Sequence, residues 1–126
     1  MKQLKKEVRQ WLKEKYNMSD FNSYQRTANK TAIYPAEHKI LYPALGLAGE
    51  AGEVANKVKK VMRDGVENQP DDWKEQIASE IGDVLWYCAA LATDLNMPLG
   101  MIAGLNEKKL QDRYERGKLN GSGDNR

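Results

Sequence analysis

The sequence predicts an all-α fold, a bundle of four or five helices. Apolar residues recur at helical spacing in several segments, no stretch alternates with a period of two for long, and β-branched residues are sparse. The 126 residues suffice for one domain with a buried core. One Cys and one His exclude a disulfide framework, a Cys-based zinc site and a His-rich metal centre.

Two helices are predicted near the N-terminus, over about 2–16 and about 21–32. The second ends before Pro35, because a residue that precedes proline avoids the α region. A third, long helix has Pro43 in its first turn. It ends before Gly65, which suits the left-handed position that follows a helix.

The fourth helix carries the strongest periodic signal. Asp71 or Asp72 is predicted to cap its N-terminus, with Glu75 completing a capping box, and it stops at Asn96. Its apolar positions recur every three or four residues: Ile77, Ile81, Val84, Leu85, Cys88, Leu91, Ala92 and Leu95. A last helix is predicted over about 98–115, before a glycine-rich tail.

The chain is predicted to divide into a helical extension over 1–18, one domain over 19–117 and a flexible tail over 118–126. The N-terminal segment is charged throughout, and the longest uncharged apolar run, 84–92, is too short to span a membrane. A cytoplasmic location without membrane attachment is therefore expected. The net charge of +2 gives no strong case for nucleic acid as a partner.

Two helices each carry a pair of acidic residues three positions apart, Glu50 with Glu53 and Glu80 with Asp83. This spacing places both acids of a pair on one face of a helix. Packing of the two helices can therefore bring four carboxylates together, and these must protonate, stay solvated or bind cations. Oxygen-only ligands suit Mg²⁺, with Mn²⁺ as the second candidate.

Each acidic pair has a competing interpretation as solvated helix surface. Glu53 and Lys57 are then a routine i, i+4 ion pair, and Lys57 is equally a solvated lysine or a phosphate contact. The recurrence of the pair on two apolar helices, with glycine before Glu50, Glu53 and Asp83, favours the cation site. A di-iron bundle is excluded because His38, the single histidine, lies outside any Glu-x-x-His motif.

Aromatic residues near the second pair also have two interpretations. Trp86 and Tyr87 can stack on a nucleobase, but an aromatic side chain on a buried helix is more often part of the core. The core interpretation is therefore favoured for both. Cys88 lies in the apolar stripe and is interpreted as inert packing.

Three segments in fixed order resemble the MazG-like all-α nucleoside triphosphate pyrophosphohydrolases. They are GLAGEAGEVANKVKK, EIGDVLWYCAALA and Asn106-x-x-Lys109-Leu110-x-x-Arg113-Tyr114. The first two contain the acidic pairs, separated by 26 residues. The resemblance extends over about 42–117, so that residues 1–18 remain outside it.

The resemblance implies Mg²⁺-dependent hydrolysis of a (deoxy)nucleoside triphosphate to the monophosphate and pyrophosphate by a homodimer or homotetramer. It implies that the metal ligands are Glu50, Glu53, Glu80 and Asp83, and that Asn106, Lys109 and Arg113 contact the substrate. We assign water activation to Glu53 and a phosphate contact to Lys57. The alternative is a non-catalytic helical nucleotide-binding or interaction protein that kept the fold, although the presence of all four acids argues against it.

Overall fold

A computed structural model of the chain describes residues 19–126, together with Lys6 and Gln10. This part of the chain contains helices and no strand, so the predicted all-α class is confirmed. The predicted first helix and the extension over 1–18 lie outside the described residues, apart from Lys6 and Gln10, which are both helical.

Four α-helices make up the described fold. They are α1 (Phe21–Asn29), α2 (Leu41–Asp64), α3 (Trp73–Asp94) and α4 (Leu99–Glu115), with short 3₁₀ turns at Ala36–His38 and Val66–Asn68. The long helices α2 and α3 pack against each other, and α1 packs on α3 and α4. No single helix here meets the length and apolarity needed to cross a membrane; α3 and α4 meet them only together, as a pair bent by 103°.

Most helix ends agree with the sequence, and two expectations are wrong. Gly65 ends α2 with a φ of 86°, and Asn96, with a φ of 57°, follows α3 in a turn closed by the bond from Met97 N to Ala92 O. Helix α1 stops at Asn29, three residues earlier than predicted. The capping box is absent, because the Asp72 carboxylate accepts from the Gln76 side chain and caps no backbone N–H.

Small residues form the centre of the core. Ala28 of α1, Ala89 and Ala92 of α3, and Leu99 of α4 are buried together, and alanine side chains let the helices approach closely. The predicted apolar stripe of α3 is only partly buried. Ile81 and Leu95 are 54% and 43% exposed, which contradicts their predicted core positions in the single chain.

Side chains of α1 fix the start of α4. The amide oxygen of Gln25 accepts from Leu99 N at 2.8 Å, and that of Asn22 accepts from Gly100 N at 2.9 Å. The side-chain nitrogen of Gln25 also donates to Met97 O at 2.9 Å. These bonds satisfy N–H groups that a helix start leaves unpaired, and they set the position of α4 relative to α3.

A partly buried network holds the entry to α2. Ile40 has a φ of 69°, which is unfavourable for a β-branched residue. Its N–H donates to Asp94 at 2.9 Å, and the Tyr34 hydroxyl donates to the same carboxylate at 2.9 Å. The end of α3 thus anchors the start of α2. Burial and the bond to Asp94 raise the pKa of Tyr34 to about 12.

This network predicts a loss of stability in strong alkali. The pKa of Tyr34 is higher in the folded chain than its usual value of 10.0. The stabilising contribution is therefore complete below pH 10 and is lost as the pH rises towards 12. Absorbance at 295 nm should show Tyr34 as the last tyrosine to titrate, and Asp94→Ala should move that titration to lower pH. An unchanged titration in the variant would contradict the network.

Candidate metal and substrate site

Three of the four predicted carboxylates lie together between α2 and α3. Oxygens of Glu50, Glu80 and Asp83 are within 4.8 Å of one another. Glu50 and Glu80 are half-buried and Asp83 is exposed. Glu53, which is exposed and one turn from Glu50 on α2, does not belong to this group.

The carboxylate group concentrates negative charge, and its members repel one another. Partial burial, followed by the charges of Asp83, Glu80 and Glu53, raises the pKa of Glu50. A divalent cation would relieve this repulsion, and an all-oxygen donor set fits Mg²⁺ or Mn²⁺. The residues present therefore fit the ion that the sequence implies.

Lys57 reaches the same group from α2. Its ammonium lies 3.5 Å from the Glu80 carboxylate, with 34% of the lysine side chain exposed. The partner is Glu80 on the neighbouring helix, rather than Glu53 one turn away. A cleft of about 160 Å³ adjoins Lys57 and is also lined by Lys60, Gln69 and Gln76. A cation with this placement can contact an anion bound at the carboxylates.

Aromatic rings border the group on the side of α2's N-terminus. Tyr87 packs so closely on Gly46 that a Cβ at residue 46 would overlap its ring. The Tyr87 ring lies 6.4 Å from Tyr42 and 4.9 Å from Trp86. Burial and contact with Tyr42 are the largest causes that raise the pKa of Tyr87, and the charges of Glu50 and Asp83 contribute.

Two further features bear on the predicted roles of α3 residues. The Trp86 indole donates to the Thr31 hydroxyl at 2.8 Å, which gives this residue a structural bond. Burial raises the pKa of Cys88, consistent with its interpretation as inert packing. Tyr24 of α1, for which no site role was predicted, also lies near this group, with its hydroxyl 3.5 Å from Gly82 O, beside Asp83. Burial and then the Asp83 charge raise its pKa.

The glycines beside the acids have a different surrounding from Gly46. Apart from its chain neighbours and the nearby backbone of its own helix, a Cβ at Gly49, Gly52 or Gly82 would meet no atom of the described residues within 4 Å. Close helix approach thus explains Gly46 and leaves these three positions open. They are places where a ligand or a second chain can come near the backbone.

The predicted substrate contacts on α4 form a second cluster. Asn106 and Lys109 line an open cleft of about 620 Å³ with Phe21, Leu85 and Cys88. Arg113, one turn further on, is buried at 6% exposure. Within the described part of the chain, no hydrogen bond or ion pair joins these three residues to the carboxylates.

Known proteins similar to this chain identify its family. The MazG nucleotide pyrophosphohydrolase domain matches residues 38–117. The "Gene 37 protein" of Mycobacterium phage L5 is 46% identical over 111 residues, which cover 82% of this chain and 96% of that protein. No solved structure matches the chain. The chain therefore belongs to the MazG nucleotide pyrophosphohydrolase family, as its sequence motifs indicated.

Proposed function

We propose that the chain hydrolyses (deoxy)nucleoside triphosphates to the monophosphate and pyrophosphate, with Mg²⁺ or alternatively Mn²⁺ at its carboxylates. The observation that carries this proposal is the meeting of Glu50, Glu80 and Asp83 within 4.8 Å at the packed α2 and α3 helices. The family supports the reaction class. A non-catalytic nucleotide-binding role is the second candidate, and the intact acidic group argues against it.

Glu50, Glu80 and Asp83 would hold the metal. When bound, Mg²⁺ would neutralise phosphate charge and lower the pKa of a bound water. The predicted ligand role of Glu53 stays a prediction, because its carboxylate lies outside the group.

This outlying position suits Glu53 to the role of general base. In the proposed reaction, water forms a bond to the α-phosphorus, and the bond from that phosphorus to the bridging α–β oxygen breaks. Pyrophosphate leaves, and the proton of the water goes to a carboxylate, for which we propose Glu53. A base that is not already engaged by a cation keeps its lone pairs for this proton.

Four residues are proposed to bind the triphosphate: Lys57, Asn106, Lys109 and Arg113. Lys57 is already beside the carboxylates and would contact a phosphate there. The other three lie on α4, without a described contact to that group. In the proposed assembly, substrate binding or a second copy of the chain closes this separation.

A homodimer or homotetramer is proposed because α2 exposes an apolar face. We call this face the α2 outer stripe; it comprises Leu41, Leu45, Ala48, Gly52, Ala55 and Met62, with Lys59 as a charged residue among them. Leu41, Leu45 and Met62 are 61%, 65% and 82% exposed. The stripe is roughly opposite Glu50 on the helix, at about 100° per residue. Exposed apolar surface of this kind marks an interface.

Leu45→Glu should break the proposed assembly, since it places a charge at the centre of an apolar contact. Light scattering after size exclusion should give the wild-type chain a multiple of 14.3 kDa and the variant 14.3 kDa. Ile33→Glu, at an exposed residue outside the stripe, is the matched control and should keep the wild-type mass. A wild-type chain that is monomeric would contradict the proposal.

The activity is tested with a panel of canonical and modified nucleoside triphosphates. Each is incubated with Mg²⁺, with Mn²⁺ and with EDTA, and the released pyrophosphate is measured. We expect release with either metal and none in EDTA. Nucleotide binding without turnover across the whole panel would favour the non-catalytic role.

A further inference from the structure

The chain reverses direction at the end of α4. Gly117 has a φ of 65°, its N–H donates to Tyr114 O at 3.1 Å, and Lys118 N donates to Arg113 O at 2.7 Å. These bonds form a Schellman motif, the turn that a left-handed glycine allows. Gly121 and Gly123 also have positive φ, both 87°. The segment 118–126 therefore folds back towards α4, and its predicted flexibility stays a prediction.

Two arginines, Arg113 of α4 and Arg116 directly after it, bind this segment through its backbone. Arg113 donates from Nη2 to Asp124 O at 2.7 Å, and Arg116 donates from Nη2 to Arg126 O at 2.8 Å. Arg126 in turn donates to Gly123 O at 2.7 Å, which tightens the turn. Hydrogen bonds to charged donors are stronger than bonds between neutral groups, so that these contacts hold the segment against α4.

The side chain of Asp124 lies between the two cations to which we assign substrate phosphate. Its Oδ1 is 3.8 Å from Nη2 of Arg113 and 4.0 Å from Nζ of Lys109, while 92% of the Asp124 side chain is exposed. Exposed pairs at such distances contribute little. A ligand with stronger oxygens can therefore displace this carboxylate.

Arg113 has donor capacity that Asp124 does not use. The residue is 6% exposed, and its buried Nε has no hydrogen-bond partner in the described part of the chain. A buried guanidinium is costly unless it is paired, and its planar fork matches two oxygens of a phosphate. Among the described residues, Asp124 is the anion within ion-pair distance of Arg113. Arg113 can therefore bind an oxyanion with more hydrogen bonds than the Asp124 carboxylate makes to it.

We propose that the segment 118–126 is an internal ligand of α4, in which Asp124 occupies the place of a substrate phosphate at Lys109 and Arg113. A phosphate must displace the segment in order to bind, so the segment lowers the affinity of the free protein for substrate and product. This inference rests on the proposed function in one respect, the assignment of Lys109 and Arg113 to phosphate binding.

Pyrophosphate titrated into the full-length protein tests this competition. Calorimetry is done at low salt in EDTA, which removes divalent metal ions. Pyrophosphate then binds only through cationic side chains, and the measurement does not depend on turnover. Asp124→Asn removes the competing charge, and a chain ending at Asn120 removes the residues of the segment that contact Arg113 and Arg116. Glu115→Gln is the matched control, because it removes the same charge from a residue about 200° around α4 from Arg113, where the carboxylate accepts from Gln111.

We expect Asp124→Asn to bind pyrophosphate about two- to fivefold more tightly than the wild-type chain, the range for release of an exposed pair. The shortened chain should bind at least as tightly as Asp124→Asn, and Glu115→Gln should match the wild type. In the wild-type chain, the ¹⁵N heteronuclear NOE of Gly121 and Gly123 should fall as pyrophosphate is added, because the displaced segment gains motion.

Three results would overturn the inference. Equal tightening by Asp124→Asn and Glu115→Gln would mean that net charge alone is responsible. Weaker binding by the shortened chain would mean that the segment contacts the ligand as a lid. Unchanged affinity in Asp124→Asn would mean that no competition exists, and this exposed substitution remains informative if the shortened chain does not fold. If the protein releases pyrophosphate from nucleotides and one of these three results is also obtained, the inference is wrong and the proposed function is unaffected.

Discussion

Glu50→Gln should lower turnover about 10³-fold, because the loss of a metal ligand removes several kcal/mol of transition-state stabilisation. Glu50 is half-buried at the centre of the charges that raise its pKa, and a neutral amide there cannot neutralise a cation. The measurement is kcat for pyrophosphate release at saturating Mg²⁺, with circular dichroism to show that the helices are retained.

Glu53→Gln separates metal binding from proton transfer. It should lower kcat about 10²–10⁴-fold, the usual range for loss of a general base, while leaving the metal in place. Thermal unfolding with and without Mg²⁺ distinguishes the two variants. At 100 times its dissociation constant, an ion that binds only the folded state adds about 2.7 kcal/mol. This gain should persist in Glu53→Gln and disappear in Glu50→Gln.

Two further comparisons sharpen this experiment. Without metal, Glu50→Gln should unfold at the same temperature as the wild type or a higher one, because the substitution removes carboxylate repulsion. Glu67→Gln, in the 3₁₀ turn after α2, controls for loss of a surface charge and should change neither measurement. A Mg²⁺ shift of wild-type size in Glu50→Gln would contradict the metal assignment.

Gly46→Ala should destabilise the fold by about 1–3 kcal/mol, the usual cost of overpacking a tight contact. The new Cβ would overlap the ring of Tyr87, which is held between Tyr42 and Trp86. Each kcal/mol should lower the midpoint of thermal unfolding by several degrees, about 2–8 °C for domains near this size. The displaced ring lies near Glu50, so we also expect kcat to fall.

Gly49→Ala is the matched control for this prediction. It makes the same change one helical turn away, where the Cβ meets open space, and the higher helix propensity of alanine should stabilise the chain by up to about 1 kcal/mol. Combining Gly46→Ala with Tyr87→Leu should recover part of the lost stability. Equal effects of alanine at residues 46 and 49 would show that the contact with Tyr87 carries no energy.

The sequence predicts the helices and the acidic pairs because both depend on local spacing. Pro43 and Gly65 mark α2 through their own backbone preferences, and the i, i+3 spacing places Glu80 and Asp83 on one face whatever surrounds them. Local spacing alone does not decide the capping box. The spacing of Asp72 and Glu75 permits it, but the Asp72 carboxylate accepts from the Gln76 side chain instead.

The remaining features join residues that are far apart in the chain. Asp94 holds Tyr34 and Ile40 across 60 and 54 positions, and no periodicity encodes such a bond. The burial of Tyr87 on Gly46 depends on how α2 and α3 align, which also decides that Lys57 meets Glu80. Ile81 is exposed although it belongs to the apolar stripe of α3, so this stripe is wider than the surface that the other helices of one chain cover.

The most direct test of the central claim is the identity of the phosphorus products. Phosphorus NMR of a deoxynucleoside triphosphate incubated with the protein and Mg²⁺ distinguishes cleavage at the α-phosphorus from cleavage at the γ-phosphorus. The proposed reaction predicts resonances of the nucleoside monophosphate and pyrophosphate that grow together and are absent with Glu50→Gln. Accumulation of the diphosphate with inorganic phosphate, or an unchanged triphosphate across the substrate panel, would contradict it.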